Sequence, residues 1–140
     1  MDKQGAVAKL SRVLIADSHQ NMLKGTRSLL ESVFDVVLMV ADEISLFDSL
    51  KTALPDLVVV DLSLPLADER NITQKLHKSY PDLKIIVLSV HDELTAADAC
   101  LAAGAMGCVL KRSAINDLIP AVLEVQKGRI YMSPAINHET

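Results

Sequence analysis

Short apolar runs alternate with helically spaced apolar positions five times along the chain. The runs fall at residues 12–16, 36–40, 57–60, 83–88 and 107–110, each rich in Val, Ile or Leu. Runs of four to six residues that are apolar at successive positions suit strands covered on both faces, as in a parallel sheet sandwiched by helices. Between the first two runs, Met22, Leu23, Thr26, Leu29, Leu30 and Val33 recur at helical spacing. Leu46, Phe47, Leu50 and Leu54 do the same after the second run, with Asp42 as the predicted N-cap.

The remaining helices are read from thinner signals. A third over about 68–80 carries a narrow stripe of Ile72 and Leu76. An Ala-rich fourth over about 92–103 stops at Gly104, a residue type that tolerates the positive φ of a helix terminus. The fifth uses Ile115, Leu118, Ile119, Val122, Leu123 and Val125 and ends at Gly128. With Asn116 as its N-cap, Pro120 sits at the edge of the first turn; a kink is the alternative. Pro55 and Pro81, each followed by Asp-Leu, end one helix and launch the next strand, because proline disfavours helix in the residue before it. Strand–helix alternation with right-handed crossovers predicts a doubly wound α/β sandwich. Its expected limits are residues 12–130, with an N-terminal arm over 1–11 and the start of a linker over 131–140.

Composition narrows the function classes. A chain of 140 residues that is half apolar has material for one domain with a full core. Two Phe, two Tyr and no Trp argue against an aromatic-lined flavin or sugar site and against a base-stacking platform. A net charge of −4 argues against electrostatic binding of nucleic acid by this chain alone. Cys100 and Cys108 have no metal-type spacing and are expected as reduced thiols, Cys100 in helix packing and Cys108 as an inert strand thiol. The longest apolar stretches, at 36–41 and 57–60, are far too short to span a bilayer, and the first ten residues lack the apolar run of a signal peptide. A cytoplasmic protein without membrane contact is the expectation.

In an open parallel sheet the ligand crevice lies beyond the carboxyl ends of the strands. The residues there are Asp17 and Ser18 after the first strand, Asp61 after the third, Ser89 after the fourth and Lys111 after the fifth. Singly each has an ordinary explanation: a turn acid, a capping serine, a solvated lysine. Together they make a site for an anion and a metal ion. A carboxylate can attack a phosphoryl group to give an aspartyl phosphate. Such transfer depends on positioning and on neutralising charge at the equatorial oxygens. A hard divalent cation held by oxygen ligands serves that purpose, as do a lysine and a hydroxyl donor.

The segments Val-Leu-Ile-Ala-Asp17-Ser-His, Val-Val-Val-Asp61-Leu-Ser-Leu-Pro65, Ile-Val-Leu-Ser89-Val-His and Gly-Cys-Val-Leu-Lys111 resemble those of a response-regulator receiver domain. The resemblance covers the chain from about residue 12 to 128. It implies a flavodoxin-like sheet of five parallel strands in the order 2-1-3-4-5 with five helices. It further implies Asp61 as phosphoacceptor from a histidine kinase or phosphotransfer protein, Ser89 as switch hydroxyl and Lys111 as the conserved-type lysine. Mg²⁺ would be held by Asp17, Ser18, Asp61 and the backbone carbonyl of Ser63. The phosphoryl group would be accepted and self-hydrolysed, without turnover of a substrate. Output would pass through the face of the fourth helix, fifth strand and fifth helix. Gly-Arg-Ile-Tyr-Met-Ser-Pro at 128–134 most resembles regulators with a C-terminal LuxR-type helix-turn-helix, so a homodimer is implied, with DNA reached only through an output domain outside these residues.

Several positions depart from that pattern. Ser18 stands where the family has a second acid, which should weaken Mg²⁺ binding. Cys108 stands where an aromatic switch residue is usual, leaving room beneath the fourth helix. Glu69 after Asp68 replaces a common glycine, and Val90 is bulkier than the usual small residue and narrows donor access. His91 is read as a loop residue beside the site, while His19, His77 and His138 are expected on the surface. Ser18 and Cys108 motivate an alternative, a pseudo-receiver that signals by protein contact without phosphorylation. A phosphohydrolase with Asp61 as nucleophile, like haloacid-dehalogenase relatives, would need a second acid two residues on, where Ser63 stands. A flavodoxin-like cofactor site is disfavoured because Asp17 would repel phosphate.

Overall fold

The computed structural model describes residues 10–66 and 71–136. The expectations for residues 1–9, Asp68, Glu69 and His138 lie outside them. The strands are β1 (Leu10–Ala16), β2 (Phe34–Val40), β3 (Leu57–Asp61), β4 (Lys84–Ser89), β5 (Gly107–Leu110) and β6 (Tyr131–Met132). The helices are α1 (Gln20–Leu30), α2 (Glu43–Thr52), α3 (Ile72–Ser79), α4 (Leu94–Ala102) and α5 (Ala114–Gln126), with a 3₁₀ turn over Lys111–Ser113. All strands are parallel, in the order β2-β1-β3-β4-β5-β6. The expected order of the first five strands and the five helices are present. The sixth strand is the difference: Tyr131 and Met132 pair with Gly107 and Cys108. A strand of two residues, preceded by Ile130 and followed by Ser133, is too short to carry a periodicity, so nothing in the sequence pattern marked it.

Successive residues of a strand face opposite sides of the sheet, and the core divides accordingly. Val13, Ile15, Leu57, Val59, Ile86, Leu88 and Val109 pack against α1 and α5. Leu14, Ala16, Val58, Val60, Ile85 and Val87 pack against α2, α3 and α4. At about 25 cal/mol per Å² of apolar surface removed from water, these two layers supply most of the stabilisation. β2, at the sheet edge, is half-exposed, unlike β3, which is buried throughout.

Helix ends follow local chemistry. The Asp42 side chain accepts from Ser45 N–H at 2.8 Å, as expected of an N-cap, and that pair holds the Asp42 carboxyl below its ordinary pKa. Asn71 accepts from Thr73 N–H at 2.7 Å to start α3, so the helix begins at Ile72. α4 ends with Gly104 N–H donating to Leu101 O and Ala105 N–H to Cys100 O, and α5 ends the same way at Gly128 and Arg129. These are paired Schellman closures around glycines at φ 118° and 83°. Two helix expectations are corrected. α5 is capped at Ser113 rather than Asn116, so Pro120 lies inside the helix. Asn116 and Pro120 are both exposed, and water can take the bond that proline's missing N–H leaves. Leu54 falls beyond the end of α2 and is exposed, not part of its apolar face.

Candidate functional site

Register brings the predicted residues level at one sheet edge. Asp61 pairs with Leu88, and Ser89 with Leu110, so the last residues of β3 and β4 and the first after β5 end together. Asp17 follows β1 directly, and its N–H extends the ladder to Val40 O at 3.1 Å. The central strands are apolar until this edge, where the chain turns polar. Asp17, Asp61 and Ser89 are all buried there, a costly placement for carboxylates unless charges and donors meet them.

Lys111 supplies the charge. Its ammonium lies 3.0 Å from Asp61 Oδ2 and 3.3 Å from Asp17 Oδ2, and its side chain is only 13% exposed. Asp61 Oδ1 accepts from Ser63 N–H at 3.0 Å and from Ser63 Oγ–H at 2.9 Å. Burial works to raise the Asp61 pKa, but the Ser63 N–H, the Lys111 ammonium and the Ser63 hydroxyl together outweigh it and hold the carboxyl below its usual value. Asp61 is therefore ionised at neutral pH.

Asp17 is differently served. Its Oδ1 accepts from His19 N–H at 2.8 Å and lies 2.9 Å from His19 Nδ1. Its Oδ2 is buried with no hydrogen bond, in ion-pair contact with Lys111 alone. A buried carboxylate oxygen in that condition favours a cation beside it. Asp17, His19 and Asp61 offer ligand atoms all within 4.8 Å of one another. These residues fit a divalent cation.

The other expected residues sit as follows. Ser18 is exposed at the mouth of the crevice. Ser89 Oγ accepts from His91 N–H at 3.0 Å, which fixes it at the end of β4. Val90 and His91 form one wall of a small cleft of ≈ 70 Å³ whose other lining residues are Asp61, Leu62 and Ser63. Val90 thus stands beside Asp61. A larger cavity of ≈ 420 Å³ lies between α3 and α4, lined by Lys75 and His77 among others and not by any of these residues.

Sequence spacing missed His19. Its Nδ1 lies 3.3 Å from Asp61 Oδ2 and 3.1 Å from the Lys111 ammonium, so it belongs to the cluster although its side chain is 60% exposed. The signal available was an Asp two residues before it, able to accept its backbone N–H and turn the ring inward.

Cys108 packs in a small apolar cluster with α4. It is buried with Ala97, Leu110 and Ile136, with Leu94 and Met132 against them. A hydrogen bond with Cys100 and then burial push its thiol above the ordinary range, which keeps it protonated and inert.

Comparison with known proteins agrees with this geometry. Residues 13–123 match the family model of the response regulator receiver domain. The chain is 32% identical over 129 residues to the transcriptional regulatory protein DegU of Brevibacillus brevis, covering 91% of this chain and 55% of that protein. It is 28% identical over 127 residues to the probable transcriptional regulatory protein NarL of Mycobacterium tuberculosis, covering 89% and 59%. The chain therefore spans little more than half the length of these relatives. Among solved structures, the isolated REC domain of RcsB from Salmonella enterica serovar Typhimurium, in the presence of the phosphomimetic BeF₃⁻, superposes with a TM-score of 0.82 at 28% identity, covering 92% of this chain and 96% of that one. A LuxR-family two-component response regulator from Aurantimonas sp. gives 0.82 at 29% identity, covering 92% and 93%.

Proposed function

The chain belongs to the response regulator receiver domain family, and from that premise we propose that it accepts a phosphoryl group on Asp61 from a histidine kinase or phosphotransfer protein. The observation that carries this reading is the Asp61–Lys111 contact at 3.0 Å inside a buried, doubly acidic pocket. An Asp61 carboxylate oxygen attacks phosphorus, the bond to the donor imidazole breaks, and the donor nitrogen keeps the electron pair. Lys111 is placed to neutralise charge on the phosphoryl oxygens, and Ser89 to donate its hydroxyl once its local bond exchanges. Ser63 orients the attacking carboxyl through two bonds to Oδ1. Asp17, Ser18, Asp61 and the Ser63 carbonyl would hold a divalent cation such as Mg²⁺, which would add charge neutralisation that the single lysine does not complete. Hydrolysis returns the free carboxylate, so the domain is a switch and not a turnover enzyme.

The output reading follows the relatives. RcsB is described as two dimers bound to two parallel DNAs, and DegU and NarL are transcriptional regulators. We take this chain to dimerise and to reach DNA through an output domain, in the cytoplasm. Among the described residues, no helix is long and apolar enough to cross a membrane. The burial of Cys108 among Ala97, Leu110 and Ile136 supports a second reading, a receiver whose face does not switch by aromatic rotation and which signals by constitutive contact.

Intact mass after treatment with acetyl phosphate or phosphoramidate tests the proposal. One added phosphoryl group that requires both Mg²⁺ and Asp61, and is lost in Asp61→Asn, is the expected result. No gain with these donors or with a phosphorylated phosphotransfer protein refutes it in favour of constitutive contact.

A further inference from the structure

The cation site that this reading requires lacks the second acid, Ser18 being an exposed neutral hydroxyl. We propose that His19 supplies the missing protein ligand, and that the resulting nitrogen–oxygen set shifts the site's preference from Mg²⁺ toward first-row divalent metals such as Co²⁺ and Zn²⁺. The inference rests on the site being a cation site at all, and the test below separates the two.

Geometry carries it. His19 Nδ1 is 2.9 Å from Asp17 Oδ1 and 3.3 Å from Asp61 Oδ2. Neighbouring ligands that each lie about 2.1 Å from one ion sit roughly 3 Å apart, so an ion could replace the hydrogen bond that spans His19 and Asp17 without moving either group far. The ring is held there by the backbone: Asp17 Oδ1 accepts the His19 N–H at 2.8 Å, and His19 is the extended N-cap residue of α1. The second oxygen of Asp17, Oδ2, is buried without a hydrogen bond and meets only the Lys111 ammonium, at 3.3 Å, so this carboxylate has capacity left for a cation. The Lys111 ammonium, 3.1 Å from Nδ1, takes part of that space and is carried on a flexible stem that lets it move aside for an ion.

Donor chemistry sets the preference. Mg²⁺ is hard and takes oxygen ligands and water, whereas imidazole suits later first-row metals, whose affinities rise along the Irving–Williams order. Replacing a carboxylate by an imidazole removes one negative charge that Mg²⁺ needs and adds a nitrogen that Co²⁺ and Zn²⁺ favour.

The test is calorimetric titration of the 140-residue protein with MgCl₂ and with CoCl₂, for wild type, His19→Ala and Asp17→Asn, joined to electron spin-echo spectra of bound Mn²⁺. Wild type is expected to prefer Co²⁺ over Mg²⁺ by about tenfold or more, and His19→Ala to cut that ratio by about tenfold, a typical loss for a disturbed ligand sphere. Nitrogen modulation from directly bound imidazole should appear on Mn²⁺ in wild type and vanish in His19→Ala. An unchanged metal ratio, or nitrogen modulation that survives His19→Ala, overturns the inference. Asp17→Asn is expected to abolish binding of both metals; if it leaves them intact, the cation-site reading itself fails, whatever His19 does.

Discussion

Replacing Lys111 by Met keeps the aliphatic stem in place and removes the only ammonium within ion-pair reach of two buried carboxylates among the described residues. At an effective dielectric of about 20, a unit charge pair 3.0 Å apart is worth about 5–6 kcal/mol before desolvation is counted. Desolvation of the ammonium offsets much of that. Removing one partner of a buried pair costs about 3–5 kcal/mol, because the other charge is left uncompensated. Since the crevice opens to water at His19, the lower end applies, about 3 kcal/mol. With a urea slope of about 2 kcal/mol/M for a domain of this size, the midpoint falls by about 1.5 M.

The pH dependence gives the prediction its sign. In wild type the folded Asp61 pKa lies below its unfolded value near 3.9, so its contribution is complete at neutral pH and lost only as pH falls through the folded value. In Lys111→Met, burial and the neighbouring Asp17 oppose ionisation, against only the Ser63 bonds and the His19 ring nitrogen 3.3 Å from Oδ2. The folded pKa then rises above the unfolded one, so the variant regains stability as pH falls from 7 toward 5. Urea unfolding followed by circular dichroism at pH 7.5 and 5.0 reads both effects. A wild-type midpoint at pH 7.5, or an equal penalty at the two pH values, refutes the assigned role of Lys111.

Three further expectations concern the frame around the site. Ser133→Ala strands the buried Leu110 N–H, which donates to Ser133 Oγ at 3.1 Å, and should cost about 1–3 kcal/mol in urea unfolding and speed amide exchange at Leu110. Gly104→Ala meets both a φ of 118° and the His77 ring, whose Cγ is 2.4 Å from the new Cβ; the loss should exceed about 1 kcal/mol, and adding His77→Ala should recover only the share of the clash due to the ring, because the His77 Cβ, 2.7 Å away, and the backbone strain remain. Cys108→Tyr, which restores an aromatic at the usual switch position, should destabilise by about 1–3 kcal/mol because Met132 and Ile136 occupy its space, with tyrosine ring resonances showing whether the 131–136 segment is displaced.

What was readable in advance divides by the range of the interactions involved. The four buried strands β1, β3, β4 and β5 were legible because each is apolar on both faces, and the acids and lysine because they follow those strands directly. β6 was not, since its pairing to Gly107 and Cys108 depends on a loop return that no local pattern encodes. The start of α5 was misplaced for a related reason: the 3₁₀ turn at Lys111–Ser113 runs straight into the helix, so no strong capping side chain announces it. The site shows the same division. Asp17, Asp61 and Lys111 converge because the sheet's register demands it, and register follows from the buried pattern. His19 converges through a two-residue turn onto an acid, and Ser63 through another onto Asp61. Both are short polar contacts of the kind that hydrophobic periodicity cannot express. In the proposed reading they are also the contacts that orient Asp61 and complete the cation site, so the features particular to this site lie in the turns at the end of the sheet.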